Sequence, residues 1–501
     1  MTSFDGILLG LEVAAQPINL VYCFFGVFLG TLIGVLPGIG PATTMALLLP
    51  ITINAPPESG IILLAGLYYG SMYGGSTTSI LVNVPGEAAS VVTTLDGYQM
   101  ARTGRAGPAL AIAAIGSFIA GTVSVVALSF IAVPLARAAV YLSPADYVGL
   151  MVLGLVMVGV ISSGSISKAI LTTCFGVVLG LVGIDSMSGA PRFTFDIPQL
   201  IEGIDVITLV VGLFGVSEVL QNLEQAAPRS LVAKTVGRIL PSREEWKRSR
   251  APIARGSILG FVLGLLPGGG AVLAAFASYG LEKRISARPE EFGKGAVEGL
   301  AGPESANNAA ATAAFIPLLT LGIPPNVVLG ILLGALMIQG IAPGPLMMVQ
   351  NPDVFWGTVA SMYVGNIMLL ILNLPLIGMW IQILRIPYGV MFPLILVFCV
   401  IGVYGTTGST FHLGLMIGFG VIGYVLRRCG YDLAPLVLGF VLGPLLEANM
   451  RRSLTASDGS WSFLFSSYVG GACLVVSVVL IVSAMMPAVR KRREMLGNAD
   501  D

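Results

Sequence analysis

The chain has 501 residues, of which 55% are hydrophobic and only 10% charged, with a mean hydropathy of +0.90 and zero formal net charge. An ordinary soluble domain carries about 25% charged residues, so that class is excluded. The balanced charge leaves no footprint for nucleic acid. Apolar runs of about 17–25 residues, long enough to cross a bilayer, recur at Ala109–Pro134, Val354–Trp380 and Ser466–Pro487. Alternation is too weak for a membrane β-barrel. The chain reads as an all-α polytopic membrane protein surrounded by lipid.

Five cysteines (Cys23, Cys174, Cys399, Cys429, Cys473) stand singly, without metal-ligand spacing, and read as small buried hydrophobes. His412 is the only histidine. That excludes a His-cluster metal site and weakens any Ser-His or Cys-His catalytic reading. No resident cofactor and no enzyme activity are expected.

Residues 1–16 contain Asp5 and Glu12 but no Lys or Arg. They lack the basic start of a cleavable signal peptide and are expected outside the cell membrane. Residues 26–40 then read GVFLGTLIGVLPGIG, with Gly26, Gly30, Gly34 and Gly38 at four-residue spacing and a break at Pro37. In a helix interior Gly costs about 1 kcal/mol against Ala and Pro about 3 kcal/mol. Segment 20–51 is therefore an interrupted helix, either a re-entrant hairpin turning at Pro37–Pro41 or one kinked span. Spans follow near 60–84, 109–134, 147–162, 167–184 and 204–222. Segment 86–106 is too polar to span and is expected at the interface.

The linker 224–252 holds Arg229, Lys234, Arg238, Arg243, Lys247, Arg248 and Arg250, and is cytoplasmic by the positive-inside rule. Beyond it the opening motif returns as GSILGFVLGLLPGGG at 256–270, identical to the first at eight of fifteen positions. About nine more residues separate this copy from its next block. Loop 281–294, with Lys283, Arg284, Arg288 and Lys294, is basic like the linker. Segment 256–280 would thus leave and re-enter on one side, with its tip at Pro267–Gly270. Further spans lie near 296–324, 354–380, 386–404, 410–426 and 434–450, with a second re-entrant piece at 327–349 and a final helix at 466–487. Arg490–Arg493 make the tail cytoplasmic, whereas Arg451 and Arg452 fall outside, against the rule. The expected organisation is a first transmembrane repeat over 1–223, the linker 224–252, a second, inverted repeat over 253–455, and a final helix with its tail over 456–501. This gives about eleven spanning helices plus hairpins. Such repeats are the signature of secondary transporters.

Broken backbone survives in hydrocarbon only inside protein or beside a water-filled cavity. The breaks therefore nominate Gly38, Gly40, Pro41 and Thr43, with Gly268, Gly269 and Gly270, as the lining of a shared site. Half-helices starting near Thr43 and Val272 would offer backbone N–H groups to an anion; carbonyls ending the preceding halves would suit Na⁺. Alternatively, the glycines only let helices pack closely. Two polar clusters lie at membrane depth. The first gives Ser76, Thr77, Thr78 and Asn83 as substrate ligands, and the second gives Ser305 and Asn307. Glu304, Asn308 and Thr320 offer hard oxygens for Na⁺, although Glu304 could instead carry a coupling proton. No Lys or Arg lies in either cluster or break.

The motifs GVLPGIGPATTMALLLPIT, YGGSTTSILVNVPGE, GLLPGGGAVLAAFASYGLEKR and GPESANNAAATAAFIPLLTLGIP resemble the large membrane subunit of the tripartite tricarboxylate transporters. The resemblance covers nearly the whole chain. It implies a multi-pass subunit of a bacterial inner-membrane carrier, with its N-terminus periplasmic and its C-terminus cytoplasmic. It further implies a small membrane subunit of roughly four helices as partner, and a periplasmic solute-binding protein that delivers a carboxylate such as citrate. Import would be driven by an ion gradient, with Na⁺ as the expected coupling ion. A stand-alone, proton-coupled organic-anion carrier is the alternative. Carried over, the family's motif residues are Pro37, Gly38, Gly40, Pro41, Gly74, Ser76, Thr77, Thr78, Pro267, Gly268, Gly270, Glu304, Ser305, Asn307 and Asn308. Gly269 stands where the first copy has Ile39.

Overall fold

The computed structural model describes residues 2–36, 40–161, 165–185, 187–224, 238–266, 270–383, 388–465 and 467–486. Within the expected tips Pro37–Pro41 and Pro267–Gly270, residues 37–39 and 267–269, with Gly38, Gly268 and Gly269, lie outside the described residues, as do residues 225–237 of the linker and the basic tail. The first half of the chain forms α1 (Ser3–Ala14), α2 (Pro17–Val35), α3 (Pro41–Ile53), α4 (Pro57–Val82), a single 3₁₀ turn at Ala88–Ser90, α5 (Val91–Arg102), α6 (Ala106–Ala139), α7 (Pro144–Ile161) and α8 (Ile166–Gly180). Next, α9 (Val206–Val210) runs through a π-helical turn, Val211–Val216, into α10 (Ser217–Glu224). The second half forms α11 (Arg243–Gly264), α12 (Gly270–Ile285), α13 (Val297–Ala313), α14 (Phe315–Leu321), α15 (Val327–Ile338), α16 (Met347–Gln350), α17 (Pro352–Asn373), α18 (Ile377–Ile383), α19 (Tyr388–Thr407), α20 (Thr410–Arg428), α21 (Ala434–Ala456) and α22 (Tyr468–Met485). Among the described residues the only sheet is a two-residue antiparallel pairing of Gly183–Ile184 with Pro191–Arg192. By length and composition, α2, α6, α17 and α20 can each cross a membrane.

Helix pairs with touching backbones recur through the fold, α8 with α21 and α7 with α22 among them, and two such pairs carry the repeated motif. Gly26, Gly30 and Gly34 on α2 meet the carbonyls of Leu63, Leu67 and Ser71 on α4, and Gly66, Gly70 and Gly74 return the contact. Gly256, Gly260 and Gly264 on α11 meet the carbonyls of Gly302, Ala306 and Ala310 on α13 in the same way. A Cβ at any of these α2 or α11 positions would strike backbone, which cannot yield. Lipid supplies no hydrophobic drive between helices, so packing at such close range holds them together.

Ser3–Ala14 forms α1, whose start is closed by a reciprocal Thr2–Asp5 capping box. Gly6 and Gly10 let α1 lie flat on Trp356 of α17. Segment 86–106 packs one face on protein: Val92, Thr93, Asp96, Gly97, Met100 and Ala101 on α5 are buried against α4, α6 and α13. The expected spans 296–324 and 354–380 are each interrupted, at Ala314 and at 374–376. Of the cysteines, Cys23 and Cys399 are buried, but Cys174 and Cys429 face outward.

Charged residues gather at helix ends, where they tie together ends that share a face. On one face Arg192 pairs with Glu447 (2.6 Å), and Arg451 pairs with Asp185 (2.8 Å) and Glu447 (2.6 Å), joining the end of α8 to the end of α21. The Met187 N–H and, with it, Arg451 hold the Asp185 carboxyl below the usual carboxylate range. Arg451 is thus neutralised locally, which accounts for a basic residue on that face. Nearby, Asp146 accepts from the Gly470 N–H (2.8 Å) and joins the starts of α7 and α22. On the opposite face Arg248 bridges Glu291 and Glu298, Arg105 meets Glu245, and Arg427 and Arg428 meet Glu218 and Glu224.

Replacing Gly260 with Leu is expected to cost about 3 kcal/mol or more, because the added side chain meets backbone. Gly280→Ala, with open space around the position, leaves stability unchanged or raises it. Thermal unfolding of both purified variants in detergent checks the pair.

Candidate functional site

Pro303 sits inside α13 and every residue from Gly299 to Ala313 is buried, so the cluster that follows it points into protein all round. Glu304 is fully buried (0% exposed). Its carboxylate takes hydrogen bonds from Ser76 Oγ on α4 (2.5 Å) and from Thr93 Oγ1 on α5. Both donors come from the first half of the chain, and both are uncharged. One turn on, Asn308 Nδ2 donates to Ser117 Oγ on α6 (2.7 Å) and to the Glu304 carbonyl (3.1 Å). Asn307 Nδ2 donates to Glu87 Oε1 (3.1 Å), and Asn307 Oδ1 is buried with no donor. None of the ion pairs among the described residues involves Glu87 or Glu304.

Beside this network a small cavity lies between α4, α6 and the end of α17, lined by Tyr73, Ser76, Thr77, Ser117 and Asn373 with three apolar residues. Asn373 Oδ1 is buried there without a donor. Tyr73 donates to Asn366 Oδ1 (2.6 Å), and Asn366 in turn donates to the Phe118 carbonyl and Thr122 on α6. Buried polar groups are normally satisfied; the amide oxygens of Asn307 and Asn373 can each still accept from a hydrogen-bond donor or a cation.

Of the residues nominated from sequence, Ser76, Glu304, Asn307 and Asn308 come together in this network, and Thr77 lines the adjoining cavity. Thr78 lies apart: its hydroxyl caps the end of α2, donating to the carbonyls of Gly34 and Val35 (both 3.0 Å). Those are carbonyls that the sequence reading offers to Na⁺. Asn83 ends α4 in the left-handed conformation (φ 60°) and faces outward, where a short polar side chain is favoured. Ser305 donates back to the Ala301 carbonyl and abuts Gly116 on α6. Thr320 donates to Ile316 within α14, beyond the interruption at Ala314, and makes no hydrogen bond to Glu304 or Asn308. Gly40 begins α3 without a side-chain cap, ahead of Pro41, and the space where its side chain would be is open. Thr43 Oγ1 points elsewhere, toward the Phe214 carbonyl in the π turn (3.4 Å). Gly270 begins α12 and packs on Gly264.

Sequence reasoning missed Thr93, Ser117, Tyr73, Glu87 and Asp96. Asp96 Oδ1 accepts the backbone N–H groups of Gly293, Gly295 and Ala296 (2.8–2.9 Å), pinning α5 to the loop before α13. The PGE at Pro85–Glu87 was the available signal for Glu87: an acid in an otherwise apolar stretch.

An ionisable residue buried among apolar helices and held by partners from distant parts of the chain marks a functional site in a membrane protein. The chain belongs to the tripartite tricarboxylate transporter TctA family, whose profile matches residues 20–438. It is therefore a membrane component of a bacterial tripartite transport system and not an enzyme, and membership implies partner subunits. It is 49% identical over 501 residues, all of both chains, to an Agrobacterium vitis protein described as "Uncharacterized 52.8 kDa protein in TAR-I ttuC' 3'region". A second Agrobacterium vitis protein, "Uncharacterized protein in TAR-II ttuC' 3'region", is 50% identical over 242 residues, covering 48% of this chain and all of that one. No solved structure matches.

Asp96→Ala leaves three N–H groups without their acceptor. Each orphaned buried donor costs about 1–3 kcal/mol, so a loss of at least about 3 kcal/mol is expected in thermal or denaturant unfolding.

Proposed function

We propose that this chain is the carrier of a tripartite system that imports a carboxylate, a tricarboxylate such as citrate or a related di- or aromatic acid, coupled to Na⁺. A small membrane subunit and a periplasmic solute-binding protein work with it. The observation that carries the reading is Glu304. It is a buried carboxylate from the second half, held by hydroxyls of the first, with no cationic side chain paired to it. Burying an unpaired charge is very costly, and a cation removes that cost. Asn308 and Ser117 supply further neutral oxygens nearby. Thr320, on α14, donates to the Ile316 carbonyl and is not hydrogen-bonded to this set.

The halves, 1–223 and 253–455, are read as inverted repeats. The matched glycine contacts of α2 with α4 and of α11 with α13 support the repeat, and its inversion rests on charge. Orientation follows from charge. Arg105, Lys168, Arg248, Arg255, Arg427 and Arg428 share the face read as cytoplasmic. The opposite face, with the start of α1, is read as periplasmic. Substrate would sit between the two breaks, against the start of α3 at Gly40 and Pro41 and its counterpart at Gly268–Gly270. There backbone N–H groups and a bound cation would take the place of an arginine clamp. Alternating access would move the broken segments against the remaining helices.

Uptake of a panel of labelled carboxylates by the complete system, with and without a Na⁺ gradient, tests the reading directly. One carboxylate should accumulate only with Na⁺ and only with the binding protein; uptake that needs neither overturns it. Glu304→Gln and Asn308→Ala are expected to abolish Na⁺-driven uptake, a fall of at least about tenfold, while yield and melting temperature are retained. Gly38→Val or Gly268→Val should block uptake by closing a tip.

A further inference from the structure

We propose that Glu87 and Asn307, contributed by opposite halves of the chain, form a second site for a coupling cation beside the one at Glu304. The inference rests on the carrier reading above. Glu87 is 9% exposed and Asn307 1% exposed. Glu87 Oε2 accepts the Ala89 N–H (2.7 Å), and Oε1 accepts Asn307 Nδ2 (3.1 Å). With these bonds made, the other end of the same amide, Asn307 Oδ1, is buried beside the Glu87 carboxyl with no donor. The titratable groups that act on Glu87 are acids as well, Glu304 on α13 and Tyr68 on α4. A carboxylate and an amide carbonyl without a donor are hard-oxygen ligands for a small monovalent cation.

A capping role alone does not account for this residue. Glu87 does cap the 3₁₀ turn Ala88–Ser90. Asn or Ser performs that task without a charge, and a neutral side chain would avoid the cost of burial. The backbone is also shaped to admit this side chain. A Cβ on Gly75 would come within 2.9 Å of Glu87 Cγ, and Gly86 lies against the Gly34 carbonyl and the Gly75 Cα. Glu87 is thereby held at the end of α2, next to the first break. The turn it caps packs on α12, the helix that follows the second break. A cation here would touch both halves and sense the position of both broken segments.

The test counts ions. Equilibrium ²²Na⁺ binding is measured on the purified chain, and the ratio of ²²Na⁺ to labelled carboxylate is measured in vesicles with all partner subunits. Glu87→Gln and Asn307→Ala should each lose one sodium ion from the count, with a lower Hill coefficient for Na⁺, while Glu304→Gln loses a different one. Melting temperature identifies any variant that fails to fold, and Glu87→Asp should restore the ion if charge is what matters. A loss of one co-transported proton instead, read by an internal pH dye, keeps the site and names its cation. An unchanged count of both ions in Glu87→Gln and Asn307→Ala overturns the inference. If the wild type binds two sodium ions but moves no carboxylate, the transport reading fails and the site stands.

Discussion

Backbone contact between α2 and α4, and again between α11 and α13, is the interaction on which the rest of the structure depends. A helix may stop inside a membrane only if something satisfies the carbonyls it exposes. Helix α4 lies close enough to α2 for Thr78 to reach the carbonyls of Gly34 and Val35. That proximity exists because Gly26, Gly30 and Gly34 carry no side chains. The same closeness lets Gly75 and Gly86 bring Glu87 up to the end of α2. The glycines that seemed to weaken the helix therefore make its interruption tolerable, and the interruption leaves room for a polar interior.

That interior is assembled across the chain rather than along it. Glu304 is held by Ser76 and Thr93, Asn308 by Ser117, and Asn307 by Glu87, each pair separated by more than half of one repeat. Charge is kept to the two ends of the helices. Arg192 and Arg451 are matched by Asp185 and Glu447 on one face, and the greater number of basic residues lies on the other. Between the faces stand carboxylates with neutral partners.

Much of this could be read from residues alone. The recurrence of GxxxG before Pro-Gly located both interrupted helices, and the polarity of Gly74–Ser79 and Pro303–Asn308 located the network. The partners on α5 were hidden. Segment 86–106 looks amphipathic enough for an interface, and nothing in its spacing reveals that Thr93 and Asp96 turn inward to meet residues some two hundred positions away. Thr320 continues the polar pattern of α13 in sequence, but the helix is interrupted at Ala314, so Thr320 stands on α14 with its hydroxyl on the Ile316 carbonyl. Asn83 was read as a ligand where local conformation explains it, as the left-handed end of α4. α1 was overlooked because its stabilising face is supplied by Trp356, far along the chain.

Helices that meet through side chains can shift by small amounts as those side chains change rotamer. Where backbone rests on backbone there is nothing to flex, and the pair behaves mechanically as one beam. Helices α2 and α4 must travel together if either travels, and so must α11 and α13. Regular helix gives way elsewhere, at the π turn at 211–216, the interruption at Ala314 and the left-handed Gly322 (φ 72°). Such a beam passes a displacement at one of its ends to the other with little loss.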